Sequence, residues 1–388
     1  MDIYTQVVEP TTIRTPPNAA SFPIYQTSAY TFADIDEVDQ LLAGKREGYS
    51  YTRGGNPNTD ALAQFAAALE GAEAGVVTSS GTAALMAGIL ALLPRPGRIL
   101  LAQEIYGGTV GIARTILAPM GYQMQWVDTH DLAAVREALA GTPAVLVVET
   151  ISNPLGRVCE LDRIIAMAHR HGVRVLVDNT FATPFHATPL SWGADLVVHS
   201  VTKFIGGHSD LILGAAVGSK DLIARAAAVV DSAGFTPDPF AAWLALRGGR
   251  TLALRMQQAS ANAFQLASSL QSLKEVRRVY YPGLDSHPDH ILAAHLLTRG
   301  FGCIVSVSLA AGYGGVQEMV RRLRRVRFVP SLGDVATTVS HPVTASHREL
   351  TADEKARVGI DGSVVRISVG IEFSGDIIED FTQALRGE

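Results

Sequence analysis

Between residues 57 and 218 of this 388-residue chain, short runs of consecutive apolar residues alternate with longer stretches in which apolar positions recur every three or four residues. The runs AGVVTS (74–79), RILLAQ (98–103), AVLVVE (144–149), VRVLVD (173–178), ADLVVHS (194–200) and LILGAAVG (211–218) predict buried strands. The stretch TDALAQFAAALEG sets Leu62, Phe65, Ala66 and Leu69 on one helical face and stops at Gly71. AALMAGILALL (83–93), DLAAVREALA (131–140) and LDRIIAMAHRHG (161–172) predict further helices. Short, continuously apolar strands separated by helices predict a parallel or mixed sheet covered on both faces. In such sheets ligands bind beyond the carboxyl ends of the strands.

The flanks read differently. Residues 1–56 are rich in Pro, Thr, Ser, Tyr and Gly without sustained periodicity, which predicts an extended arm rather than a folded unit. An ordered arm of that length needs a surface to lie against, and a partner subunit would supply one. From about residue 250, the helical pattern TLALRMQQASANAFQLASSLQ (251–271) and the strand-like CIVSVSLA (303–310) and VVRISVGIE (364–372) predict a smaller α+β domain with two or three strands. The predicted division is an arm over 1–56, a large domain over 57–249 and a small domain over 250–388. The run RRLRRVRF (321–328), five arginines beside Leu323 and Val326, reads as the solvated face of a helix.

Composition narrows the function classes. With 47% apolar residues the chain can bury an extensive core, and a net charge of -5 from 32 basic and 37 acidic side chains gives no footprint for nucleic acid or an anionic membrane. Neither a secretory signal pattern nor a run of about 18 apolar residues is present, so no membrane span is expected. Cys159 and Cys303 stand far apart without metal-ligand spacing and suit a reducing cytoplasm. No metal site is expected. His199, His208 and His341 lie near informative segments, but without clustered ligand spacing they read as structural.

Three features carry candidate chemistry. Lys203, in VVHSVTKFIGGHSD, follows a predicted strand end, flanked by Ser200, Thr202 and the pair Gly206 and Gly207. A partly desolvated lysine there can form a Schiff base, and the hydroxyls can donate to a phosphate. Asp178 ends VRVLVD, where an acid is poorly placed for packing and well placed for a ligand. SSGTAAL (79–85) passes from strand to helix through Gly81 and Thr82, making a helix amino terminus able to hold an anion. A capped helix or a turn explains the aspartate or the glycine turn taken singly. Together, an imine-forming lysine, an acid for a ring nitrogen and a phosphate cradle are the set pyridoxal phosphate requires. Tyr106, in QEIYGGT, offers an aromatic face and a phenol for proton transfer, and Arg366, in VVRISVGIE, a fork for an amino-acid carboxylate. A cofactor-free Schiff-base aldolase would share Lys203 but has no use for Asp178 and a phosphate cradle.

The ordered motifs YSYTRGGNPNTDAL, TSSGTAAL, YGGT, VVETISNPLG, VDNTFATP, VVHSVTKFIGGHSD, PSLGDVATTVSHP and VRISVGIE, from about Phe22 to the carboxyl terminus, carry a family resemblance. The chain resembles the pyridoxal-phosphate-dependent enzymes of Cys/Met metabolism, the transsulfuration group. The resemblance implies the α/β fold of aspartate aminotransferase (fold type I), with a mixed, mostly parallel seven-stranded sheet between helices and a smaller carboxyl-terminal α+β domain. It implies a homotetramer made of two catalytic dimers. It also implies Lys203 as the cofactor-binding lysine and base, Asp178 at the pyridine nitrogen, and Tyr106 on the ring as the candidate general acid. Gly81, Thr82, Ser200 and Thr202 would hold the phosphate, joined by Tyr51 and Arg53 reaching into the neighbouring subunit. Asn153, Ser331 and Arg366 would bind the substrate carboxylate and position the cofactor.

Within the family, YTRGGNPNTDALAQFAAALEGAEAG and VVHSVTKFIGGHSD look most like methionine gamma-lyase, which implies α,γ-elimination of a sulfur amino acid to 2-oxobutanoate, ammonia and a thiol. Gly108 stands where those lyases characteristically carry a cysteine. Ala336 and Thr337 stand where cystathionine enzymes carry an acidic ESL pattern, and GDVATTVSHPVTASH is similar to homoserine-ester sulfhydrylases. The alternative is therefore γ-replacement on O-acetyl- or O-succinylhomoserine, by a sulfhydrylase or cystathionine gamma-synthase, with cystathionine gamma-lyase as a further member of the same set.

Overall fold

A computed structural model describes residues 1–8, 19–141 and 143–387. Seven strands form the larger sheet: β1 (Ala74–Thr78), β2 (Arg98–Ala102), β3 (Gln123–Val127), β4 (Pro143–Glu149), β5 (Arg174–Asp178), β6 (Leu196–Ser200) and β7 (Gly214–Gly218). Their order is β1-β7-β6-β5-β4-β2-β3, and β7 alone runs antiparallel to its neighbours. The other six strands therefore end on one edge of the sheet. The expected mixed, mostly parallel sheet is present. The strand missing from the sequence reading is β3, QMQWV, an edge strand whose polar residues interrupt the apolar run.

Alternate residues of these strands enter different cores. Leu146, Val148, Val175, Val177 and Val197 pack with Leu62 and Phe65 of the helix Pro57–Glu70 and Ile164 of the helix Leu161–Arg170. Val145, Val147, Leu176, Leu196 and Val198 pack with Leu85 and Ile89 of the helix Gly81–Leu92 and Leu222 of the helix Lys220–Ala233. Burial on both faces explains why the strands are apolar without alternation. The helix Pro57–Glu70 starts where the Asn56 side chain accepts from Asn58 N and Pro57 presets the first turn, and ends at Gly71 with φ 69°. Burying Phe65 or Leu62 on its inner face contributes about 2–3 kcal/mol each.

The second sheet has five strands, not two or three: β8 (Val276–Tyr280), β9 (Ile304–Leu309), β10 (Arg327–Phe328), β11 (Thr338–Ser340) and β12 (Val364–Ser368), in the order β10-β11-β12-β9-β8. β8 hides behind its arginines, and β10 lies in the basic run taken for a helix. That helix, Gly312–Arg322, stops before most of the run. Asp380, buried on the last helix, accepts from the backbone N–H groups of Arg324, Arg325 and Val326 at 2.8–2.9 Å and so holds the chain in a turn leading into β10.

The amino-terminal segment also departs from expectation. Residues 3–8 form a short helix whose Ile3 and Val7, four apart, are buried against the body of their own chain, and Asp34 caps a second helix, Ile35–Leu42. Residues 9–18 of the predicted arm lie outside the described residues. Among the described residues no helix is long and apolar enough to cross a membrane, and no group of His, Cys, Asp and Glu could hold a metal ion.

Candidate active site

The shared strand edge and the second sheet enclose a cavity of about 490 Å³. Ten predicted residues line it: Gly81, Thr82, Tyr106, Asn153, Asp178, Ser200, Thr202, Lys203, Ser331 and Arg366. Sheet topology explains the assembly. Residues 80–82 follow β1, Tyr106 follows β2, Asn153 follows β4, Asp178 ends β5, and Ser200 to Lys203 end or follow β6. Arg366 comes from the second sheet, on its central strand β12.

Lys203 Nζ donates to Ser331 Oγ at 2.9 Å. Burial, then the like charge of Arg366, pushes the Lys203 amine down to about 8, so a useful fraction is neutral near neutral pH. Arg366, 3% exposed, donates from Nη1 to Asn153 Oδ1 at 2.9 Å and from Nη2 to Ser331 O at 3.2 Å, while its buried Nε has no partner among the described residues. His347 holds Asn153 from the other side: its Nε2 lies 3.0 Å from Asn153 O, which makes Nε2 the protonated nitrogen, and its Nδ1 lies 2.9 Å from Ser346 Oγ. Burial and the Arg366 charge push His347 down to about 4 and keep it neutral.

Asp178 accepts from Thr180 N at 3.0 Å, and among the described residues no cation pairs with it. Burial pushes its carboxyl up, against the Thr180 hydrogen bonds, which favour the anion. A protonated ring nitrogen at this carboxyl would supply the missing counter-charge. On another part of the wall, Ser80 caps Ala83 N and leaves the first helical amides, those of Gly81 and Thr82, at the cavity. A Cβ on Gly81 would lie 2.7 Å from Ser200 Cβ, so only glycine lets this turn close on β6. Ser200 N donates to Thr180 Oγ1 at 2.8 Å. The Thr202 hydroxyl is engaged with the Leu213 backbone, donating to O and accepting from N.

Tyr106, 37% exposed, stands at the start of the helix Gly107–Ile112. Its ring lies over Gly108, where a Cβ would sit 2.3 Å from Tyr106 Cε1. Burial raises its phenol while Arg366 works in the opposite direction.

Tyr51 and Arg53 are not in the cavity of their own chain. They line a separate surface depression, where Arg53 Nε pairs with Asp231 at 3.0 Å and its guanidinium lies 5.6 Å from the Tyr51 ring centre. His199 lies outside the cavity against buried Glu70 (2.8 Å), His208 bonds Gly206 O, and His341 bonds Thr344 and Gly362.

Sequence reasoning missed Glu149. It lines the cavity, 8% exposed, and its two oxygens accept from Tyr106 N (2.7 Å) and Asn153 N (3.1 Å). The signal was there: Glu149 ends a strand as Asp178 does, and the two are ladder partners.

A partly neutral lysine, an acid without a counter-ion and a helix amino terminus around one cavity fit pyridoxal phosphate, and on this fold they define a fold type I pyridoxal-phosphate enzyme. The particular family follows from comparison. A family model described as "Cys/Met metabolism PLP-dependent enzyme" matches residues 5–386, and the chain belongs to that family. It is 36% identical over 368 residues to an L-methionine gamma-lyase of Fusobacterium nucleatum subsp. polymorphum, covering 94% of this chain and 93% of the relative. It is 35% identical over 372 residues to an O-succinylhomoserine sulfhydrylase of Pseudomonas aeruginosa, covering 96% and 92%. The cystathionine gamma synthase of Xanthomonas oryzae pv. oryzae, solved in complex with aminoacrylate and cysteine, superposes with a TM-score of 0.94 at 34% identity, covering 100% of this chain and 98% of that one. The chain is thus a pyridoxal-phosphate-dependent enzyme of carbon–sulfur bond chemistry in the transsulfuration group, acting on a small amino acid.

Proposed function

We propose that this enzyme catalyses γ-replacement on an O-acylated homoserine, with a thiol or sulfide that carries no second ammonium group as the incoming nucleophile. The observation that carries this reading is the commitment of the cavity's acids. Of the lining residues only Glu149 and Asp178 are acidic; Glu149 accepts from two backbone amides, and Asp178, at the end of β5, is assigned to the ring nitrogen. The rest of the wall combines the apolar Ile151, Phe181, Ile212, Leu332 and Ala345 with the uncharged hydroxyls of Ser80, Thr180 and Ser346 and holds no further acid. A distal ammonium, as in cystathionine or cysteine, would be desolvated there without a partner. The similarity to an O-succinylhomoserine sulfhydrylase and to a cystathionine gamma synthase supports replacement chemistry.

Pyridoxal phosphate supplies an electrophilic carbonyl and an electron-withdrawing ring that stabilises negative charge at the α-carbon. Asp178 would accept the ring N–H and keep that nitrogen protonated. Arg366 and Asn153 would bind the substrate α-carboxylate, with Arg366 Nε the unfilled donor. Lys203 Nζ would take the α-proton, and Ser331 would hold the amine in place. Tyr106 Oη would give a proton to the departing γ-substituent. Gly81, Thr82 and Ser200 would cradle the phosphate together with Thr202, whose hydroxyl must first exchange its bond to Leu213 O.

Tyr51 and Arg53 of a neighbouring copy would complete that cradle within a catalytic dimer, two dimers forming a homotetramer; their position outside their own cavity supports this. A cytoplasmic setting belongs to the same proposal and rests on two free, buried cysteines.

A second reading, α,γ-elimination of methionine, is favoured by the same apolar side chains, which suit an uncharged thioether, and by the 36% identity to a methionine gamma-lyase. Product analysis separates them. The holoenzyme is incubated with methionine, cystathionine and O-acetyl- or O-succinylhomoserine, each with and without sulfide or methanethiol. Replacement predicts a thioether or homocysteine from a homoserine ester only when the thiol is present. Release of 2-oxobutanoate and ammonia from methionine alone would overturn replacement in favour of elimination.

A further inference from the structure

The carboxylate of Glu149 bonds directly to two residues of the site on different loops, which are tied nearby as well by Ser152 Oγ donating to Glu104 at 2.8 Å. Its Oε1 accepts from the backbone of Tyr106, on the loop after β2, and its Oε2 from the backbone of Asn153, on the loop after β4. Asn153 is in turn bonded through Oδ1 to Arg366 and through O to His347. One side chain therefore fixes both the aromatic ring expected over the cofactor and the donors expected at the substrate carboxylate.

This is an expensive place for an acid. Glu149 is buried and stands beside Asp178 across the β4–β5 ladder, and both circumstances disfavour its charge. A capping role at one amide would be met by a neutral side chain at lower cost. Two N–H donors converging from different loops require two acceptor oxygens on one planar group. A glutamine of the same shape would turn its NH₂ towards one of them.

Accordingly we propose that Glu149 is a positioning residue that sets Tyr106 and the Asn153–Arg366 pair in a common register, so that ring and substrate carboxylate are held at a defined separation. This rests on the pyridoxal-phosphate reading of the cavity.

The test compares Glu149→Gln and Glu149→Asp with the parent holoenzyme. Three quantities are read: cofactor content from the visible band, the circular dichroism of that band, and the spectral dissociation constant for glycine, which has the α-amino and α-carboxyl groups but no γ-substituent. In both variants the cofactor is expected to stay, because Lys203 and Asp178 are untouched. The dichroic signal should change, and glycine should bind about 10-fold more weakly, as loss of one buried hydrogen bond loosens the fork. With the preferred substrate, KM should rise and kcat should fall together, since both loops slip.

Unchanged dichroism and glycine affinity in both variants, even with lowered thermal stability, would reduce Glu149 to a structural group and overturn the proposal. Loss of cofactor from both would overturn it too, by assigning Glu149 to cofactor retention. If the parent protein itself develops no visible band with pyridoxal phosphate, it is the cofactor reading that has failed.

Discussion

The neutral fraction of Lys203 is the quantity on which cofactor capture depends. Burial and then Arg366 bring its amine from 10.5 to about 8. The charged form is thereby disfavoured by about 3 kcal/mol, and the neutral fraction at pH 7 rises from roughly 0.03% to about 10%, some ~300-fold. Replacing Arg366 by methionine removes the like charge but leaves the burial, so the midpoint should move to higher pH without reaching the free-lysine value. The assay uses protein stripped of cofactor. Pyridoxal phosphate is added over roughly pH 6 to 10, and the rate at which visible absorbance develops is followed by stopped flow. Only the neutral amine attacks, so the rate should climb with pH and level off with an inflection near 8 in the parent and above it in Arg366→Met. A parent inflection at free-lysine pH, or one that Arg366→Met does not move, would refute the reasoning. Lys203→Ala, which has no amine, gives the baseline.

Gly108→Ala places a Cβ 2.3 Å from Tyr106 Cε1, so the ring must swing aside; kcat should fall about 10-fold with cofactor content retained, and an unchanged kcat would show that the ring's tilt is immaterial. Asp380→Ala removes the acceptor of three backbone N–H groups at 2.8–2.9 Å and should destabilise the fold by about 2 kcal/mol at neutral pH, read by denaturant titration. Burial opposes the Asp380 charge, but those N–H groups outweigh it and hold the carboxyl below the usual range. The stabilisation is therefore present above the unfolded value of about 3.9 and lost as pH falls through the lower folded one, so parent and variant should converge in acid. Arg53→Met should weaken cofactor binding about 10-fold if Arg53 reaches a neighbour's phosphate; an unchanged dissociation constant in a confirmed assembly would remove that role.

How much could be read without coordinates varies with the kind of interaction. The central strands were legible because both faces are buried and every position is apolar. Chemistry at their ends stood out for the same reason, since a lysine or aspartate closing such a run has no packing role. Of the strands that escaped notice, QMQWV at the sheet edge and VRRVY in the second sheet carry polar residues that interrupt the apolar run, while β10 and β11, of two and three residues, are too short to show a period. The basic run 321–328 has no local feature that ends its helix; the residue that ends it, Asp380, lies more than fifty positions later.

What the chain determines by itself, then, is local: helix and strand from periodicity, and candidate chemistry from residues that break an apolar pattern where the backbone turns outward. What only the tertiary structure decided is convergence. Strand order brought the ends of β1, β2, β4, β5 and β6 to one edge, and the second sheet carried Arg366 across to Asn153. Glu149 became a bridge from the loop after its own strand to Tyr106, 43 residues before it in the chain. Such contacts depend on distances in space between segments remote along the chain, and no pattern of neighbouring residues encodes them, because a hydrogen bond is indifferent to how much chain lies between its partners.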